Sequence, residues 1–149
     1  MTFLSWRKEY EIGVPQIDAE HHHLVDLINA FHETYLRGES SEEIPRLLNQ
    51  LVAYAEEHFQ HEELLMSASD YPRLDEQRAQ HEELVASIFA INEKFSADRT
   101  KAGAEVLHFI KNWLLDHMVK YDMDIGDFLR HKANKAKMPN ETGKGEAAG

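Results

Sequence analysis

The chain has 149 residues, 27 acidic against 16 basic, and a formal charge of −11; that length fits one domain with a real core, and that charge argues against nucleic acid or an anionic membrane as partner. Cysteine is absent, which excludes a disulfide framework, a thiolate metal site and a cysteine nucleophile. No apolar run approaches the roughly 20 residues needed to cross a bilayer, and the N-terminus lacks the basic-then-apolar layout of a signal peptide, so a cytoplasmic protein is expected.

Residues 1–17 carry Phe3, Trp6, Tyr10, Ile12, Val14 and Ile17, apolar enough to pack across a helical body as an arm. The first helix is expected from Asp18, as N-cap, to about Tyr35, with Arg37-Gly38 at its end. Its apolar seam is His21, Leu24, Ile28, Phe31 and Tyr35, a spacing of alternating threes and fours. The second helix is expected near Ser40, where Ser40 and Glu43 fit a capping box and Pro45 is tolerable only in the first turn. Its seam runs Ile44, Leu48, Leu51, Ala55, His58, Glu62, Leu65. The third helix follows the Asp70-Tyr71-Pro72 turn with Pro72 near its first position. Its seam is Leu74, Gln77, His81, Leu84, Ile88, Ile91, Phe95. The fourth begins near Thr100, with the seam Val106, Ile110, Trp113, His117. Gly126 reads as a break, followed by a short turn of helix through Phe128 and Leu129. Residues 132–149 are rich in Lys, Ala and Gly and read as a disordered tail. Residues 1–131 are thus one domain, with 1–17 the arm and 18–131 the bundle.

Short loops make neighbouring helices antiparallel, so an all-α, up-down-up-down four-helix bundle is expected. In that arrangement the start of the first helix, the end of the second, the start of the third and the end of the fourth share one end. His21, His58 with Glu62, Gln77 with His81, and His117 occupy those four places. Four polar interruptions of four apolar seams therefore converge on one layer. A bare carboxylate among imidazoles in a core costs several kcal/mol unless a positive charge sits among them. The economical explanation is a metal site.

His58 and Glu62, four apart, project from one helix face. His117 and Asp122 are five apart, and both reach one centre only if the helix ends or bulges between them. Four imidazoles and two carboxylates suit iron, manganese or zinc. One zinc ion leaves ligands idle. Two ions bridged by Glu62 and Asp122 use them all, with His21 and His58 on one and His81 and His117 on the other.

These residues carry a resemblance. Trp6, Tyr10 and Gly13 in the arm, Asp18-Ala19-Glu20-His21, His58-Phe59-Gln60-His61-Glu62-Glu63, Tyr71-Pro72 then His81, and Trp113-Leu114-Leu115-Asp116-His117 with Asp122 are similar in order and spacing to the bacterial hemerythrins. The likeness spans about residues 3–130. It implies a non-haem di-iron centre with oxo or hydroxo and carboxylate bridges, binding O2 reversibly at one iron. On that likeness His21 and His58 hold the oxygen-binding iron, His81 and His117 hold the other, and Glu62 and Asp122 bridge. Leu114 matches the apolar residue of the oxygen pocket, with Trp113 beside it. One position departs from the pattern. Gln77 stands where the family usually has a histidine, so the second iron keeps two imidazoles, with an amide oxygen or a water in the remaining place.

Each residue also has a plainer reading. A lone seam histidine is ordinarily a hydrogen-bonded core residue; four in one layer beside a carboxylate are not. Gln77 is either a ligand or a hydrogen-bonding neighbour of one. His61 lies near His58 and is the alternative replacement for the missing histidine. His22, His23, His108 and His131 read as surface residues, and His32 as core or rim. Trp113 is first of all packing. Glu56-Glu57 and Glu63 read as solvated faces. Glu20-x-x-His23 and Glu105-x-x-His108 echo the motif of ferritin-like di-iron enzymes, but neither histidine shares the layer and face of the cluster.

The leading expectation is an O2-binding protein, not an enzyme, serving storage, delivery or sensing. The competing expectation, prompted by Gln77, is a di-iron oxidase, peroxidase or nitric-oxide reductase, with peroxide or nitric oxide as partner. A third is metal handling without redox work. A monomer is expected.

Overall fold

The computed structural model describes residues 3–38 and 43–137. They form five helices: α1 Pro15–Leu36, α2 Glu43–Ala68, α3 Leu74–Lys94, α4 Arg99–Asp116 and α5 Met123–Lys137. A π-helical segment, His117–Asp122, joins α4 to α5, and a 3-10 turn, Lys8–Tyr10, lies in the arm. The described residues contain no strand. Helices adjacent in sequence pack on each other and α4 packs on α1, which closes the bundle. No helix among the described residues is long and apolar enough to cross a membrane.

The four seams bury the core along the phases expected from their periodicity. Leu24, Ile28 and Phe31 of α1 meet Leu48, Leu51 and Ala55 of α2, Leu84 and Ile88 of α3, and Val106, Ile110 and Leu114 of α4. Each fully buried Leu, Ile or Phe contributes about 1.5–3 kcal/mol, so the mid-bundle layers hold the fold and the polar layer at one end is carried by them.

Several boundaries differ from the sequence reading. The first helix starts three residues early, because Pro15 is preset for its first turn and Val14 is the N-cap. Asp18 is therefore no cap. Its carboxylate turns back and accepts from the amides of Ile12 (2.8 Å) and Gly13 (3.1 Å), which pins the arm to the helix it precedes. Gly13 has φ +88°, a left-handed conformation that a side chain would strain. The capping box at Ser40 lies outside the described residues. Pro72 sits in the turn before α3, whose N-cap is Arg73. Asp98 caps α4, accepting from the Lys101 amide at 3.1 Å.

Gly126 does not break the helix. The backbone runs helically from Arg99 to Lys137, with right-handed helical geometry at Asp116, His117 and Met123. Lys132 to Lys137, expected in the tail, belong to α5. What Gly126 permits is close approach: a Cβ there would collide with the carbonyl oxygen of Ile12. The arm crosses α5 at this point, held also by the Arg130 guanidinium donating to the same carbonyl. Further along, Leu4 and Asn29 exchange two hydrogen bonds of 2.9 Å.

Gly126→Ala should therefore lower stability by about 1–3 kcal/mol through overpacking, although alanine has the higher helix propensity. Denaturant unfolding would measure it, and a neutral or stabilising result would show that the arm does not rest on α5.

Candidate metal centre

All six expected side chains meet at one end of the bundle. His21 comes from α1, His58 and Glu62 from α2, His81 from α3, and His117 and Asp122 from the π-helical segment; all are buried. Each ring turns its Nε2 toward the carboxylates. Glu62 Oε2 lies 3.4 Å from His21 and 3.2 Å from His58, and its Oε1 lies 3.2 Å from His81. Asp122 Oδ2 lies 3.1 Å from His21, and its Oδ1 lies 3.1 Å from His117. Each carboxylate thus gives one oxygen to each of two histidine pairs. The donors form two groups able to hold a cation, one of His21, His58, Glu62 and Asp122 and one of Glu62, His81 and His117.

The π-helical segment makes this possible. In a regular α-helix residues five apart diverge, since 3.6 residues complete a turn. The wider winding of a π-helix closes between i and i+5, and His117 and Asp122 are its first and last residues. The expected bulge is present as one full turn, continuous with helix on both sides.

The donor set fits a pair of cations. Both nitrogens of His21, both oxygens of Glu62, both oxygens of Asp122 and the Oε1 of Gln77 are buried without a hydrogen-bond partner. Nearly every such atom in a folded protein is satisfied, and here six of the unsatisfied ones belong to three clustered residues, His21, Glu62 and Asp122; among the described residues the Trp6 Nε1 in the arm is the one that lies apart from the centre and Gln77. The Nε2 atoms of His81 and His117 face each other at 3.3 Å, tolerable only with a proton or cation between the pairs. In the metal-free fold, protons supply the charge. Burial alone would lower His21, but the Asp122 and Glu62 carboxylates outweigh it and raise it to about 9. Burial likewise opposes His58, which Glu62 and Glu20 raise to about 10. His81 is raised against burial by Glu62 and Glu63. Burial pushes the Glu62 carboxyl up, yet the surrounding imidazoles hold it well below the ordinary carboxylate range.

Behind the rings stand acceptors that the sequence reading left out. His58 Nδ1 donates to Glu20 Oε1 at 2.7 Å, and His81 Nδ1 donates to Glu63 Oε2 at 2.8 Å. His117 Nδ1 donates to Gln80 Oε1 at 3.2 Å. A carboxylate can only accept, so it fixes the tautomer with Nδ1 protonated and Nε2 free for a metal. Glu63 is thus no solvated face. Glu20 belongs to the site, though as a support for His58 and not through the Glu20-x-x-His23 motif. Its second oxygen takes His61 Nδ1 at 2.6 Å, so His61 stands outside the cluster as a partner of Glu20. The signal that finds these residues is spatial: each acceptor reaches a ring on another helix.

Gln77 is buried on α3, one turn before His81. Trp113 is half-buried and stacks on the His117 ring at 4.4 Å, and Phe59 stacks on His81 at 3.9 Å. Leu114 is buried in the core below. Of the other histidines, His22, His23, His108 and His131 are exposed and His32 is half-buried, His32 stacking on Phe3 at 4.2 Å.

Fold and site together define a helical bundle with a buried histidine–carboxylate centre for cations. Residues 12–129 match the hemerythrin HHE cation binding domain, and the chain belongs to that family. The bacteriohemerythrin of Methylococcus capsulatus is 29% identical over 130 residues, covering 87% of this chain and 98% of that one. That of Clostridium acetobutylicum is 28% identical over 127 residues, covering 82% and 98%. Among solved structures, a hemerythrin single-substitution mutant aligns with TM-score 0.78 at 28% identity, over 87% of this chain and 98% of that one. Wild-type hemerythrin aligns with TM-score 0.76, also at 28% identity, over 85% and 98%. Members of this family bind O2 at a di-iron site.

Two outcomes follow from the geometry. Glu63→Ala removes the acceptor behind His81 and should weaken metal binding about 10–100-fold, read by competition with a chelator; unchanged affinity would make Glu63 a bystander. In the metal-free protein, His21 and His58 stand above the ordinary histidine value of 6.5. The stability they contribute is fully present below that value and is lost as pH rises through about 9 to 10. Metal binding displaces those protons, so unfolding midpoints of the loaded and metal-free protein should draw apart across that interval. Parallel curves would mean that the rings are already neutral.

Proposed function

We propose that this protein binds O2 reversibly at a non-haem di-iron centre, as a storage, delivery or sensing protein and not an enzyme. His21 and His58 would hold one iron and His81 and His117 the other, with Glu62 and Asp122 bridging. The observation that carries this reading is the division of each carboxylate between the two histidine pairs. One metal would leave one oxygen of each carboxylate, and two imidazoles, without a task.

An iron pair supplies electrons that can be lent to a bound gas and taken back. The chain supplies the conditions for that reversibility. Glu20 and Glu63 hold His58 and His81 with Nε2 inward, so the donors are preorganised. Three members of the cluster, His21, Glu62 and Asp122, are fully buried. Beside it lies an enclosed apolar cavity of about 20 Å³, with Leu24, Leu51, Phe59, Ile110, Trp113 and Leu114 in its walls. An apolar cavity of this size stays dry and admits a small nonpolar gas. No polar atom of its walls faces the space, which favours release of an intact ligand over its reduction.

A second reading, a di-iron enzyme acting on peroxide or nitric oxide, is favoured by one observation: the buried, unpartnered oxygen of Gln77 beside a metal position with two imidazoles.

The deciding measurement is iron content with the visible spectrum of the reduced protein, before O2, after O2 and after degassing. About two irons per chain and a colour that comes with O2 and leaves with degassing are expected. Irreversible oxidation would favour the enzyme, and one iron without colour would end the di-iron reading.

A further inference from the structure

Two spaces of different character lie against the cluster. The cavity described above is walled by apolar side chains from all four long helices, and two of these, Phe59 and Trp113, stack on the rings of His81 and His117. On another side of the cluster, a polar cleft of about 180 Å³ opens between the start of α3 and the π-helical segment. Tyr71, Arg73, Glu76, Lys120 and Tyr121 form its walls, and Gln77 is part of its lining. Tyr121 stacks on the His117 ring, centroids 5.5 Å apart, so the cleft reaches the pair formed by His81 and His117.

Gln77 is the link between cleft and cluster. It stands four residues before His81, on the same face of α3, and is 1% exposed. Its Oε1 is buried without a partner, an arrangement that is costly unless a donor or a cation meets that lone pair. A neutral amide oxygen is a legitimate donor to a hard cation but a weaker one than imidazole toward iron.

The cleft's cations are paired. Arg73 is paired with Asp124 at 3.1 Å and donates to the Tyr71 hydroxyl at 3.1 Å, while Lys120 is paired with Asp116 at 3.0 Å. Glu76 adds a further carboxylate, so the walls hold no excess of cations to trap a polyanion. The volume is several times the roughly 30 Å³ share of a liquid water. It suits small polar molecules, neutral or singly charged.

We infer that small polar ligands reach the second metal position through this cleft and displace the Gln77 amide oxygen, so that this chain has a second exchangeable metal position with a polar route of its own. The inference rests on the two-metal reading above. The cleft would serve polar ligands at that position, and the apolar cavity would serve a nonpolar gas. Displacement is ligand exchange alone: the incoming lone pair takes the place of the amide oxygen, and no electron or proton changes hands.

The experiment uses the full-length oxidised di-iron protein with azide as probe, read by equilibrium absorbance and stopped flow. Metal content is determined on each sample, so that loss of the two-metal reading is seen separately. The unaltered protein should take up azide in two phases, to two per chain. Gln77→His supplies a third imidazole and should abolish the second phase, while also slowing release of the second iron to a chelator by about tenfold or more. Glu76→Trp leaves every donor in place and narrows the cleft; it should slow the second phase about tenfold or more with stoichiometry unchanged. A single azide per chain in the unaltered protein with both irons present would overturn the inference. So would a second phase that neither variant alters. Should Gln77→His fail to load two irons, Glu76→Trp alone decides the matter.

Discussion

Two carboxylates buried among four imidazoles set the terms for this molecule. Glu62 and Asp122 are fully buried, and none of their four oxygens has a hydrogen-bond partner. Removing one such charge from water costs several kcal/mol even after relaxation. The whole free energy of a domain is only about 5–15 kcal/mol. The bundle can therefore carry this layer only with positive charge inside it. In the metal-free fold, protonated imidazoles provide it. Metal ions provide it better, because each divalent ion brings two charges and a pair of ions meets the oxygens that face the two histidine pairs.

The rest of the structure can be understood as support for that layer. Long apolar seams hold four helices in register, so that rings from three of them and from the π-helical segment aim at one point. Glu20 and Glu63 reach across from neighbouring helices and orient two of the rings. The arm is pinned at the same end of the bundle by Asp18 and by the close contact of Ile12 with Gly126, and runs from there along α1 to the contacts of Leu4 with Asn29 and Phe3 with His32. The π-helical turn adds one residue of winding and so allows a single helix to supply both His117 and Asp122.

The centre is not symmetric. One histidine pair includes His58, backed by Glu20. The other, His81 with His117, is backed by Glu63 and Gln80 and borders a polar cleft through Gln77. An imidazole at position 77 would bring a third strong donor to that pair. The amide instead brings an oxygen with no partner of its own.

The parts that were legible in the amino-acid sequence are those that depend on helical period alone. His21, His58, Glu62, His81 and His117 interrupt apolar seams in phase, and antiparallel connection puts them at one end. Asp122 was legible as a requirement: it joins only if the helix bulges. Glu20, Glu63 and Gln80 were not legible, because each lies off its own seam and matters only through a ring on another helix. Gly126 misled, since a helix break and a close backbone approach call for the same residue, and only the position of Ile12 distinguishes them. The sequence by itself determined the four seams, the polar layer and the identity of its donors, because period and residue chemistry are local properties. Only the tertiary structure decided how the two carboxylates divide their oxygens, which acceptors fix the rings, and where the polar cleft meets Gln77, because those depend on distances between helices that no single helix encodes.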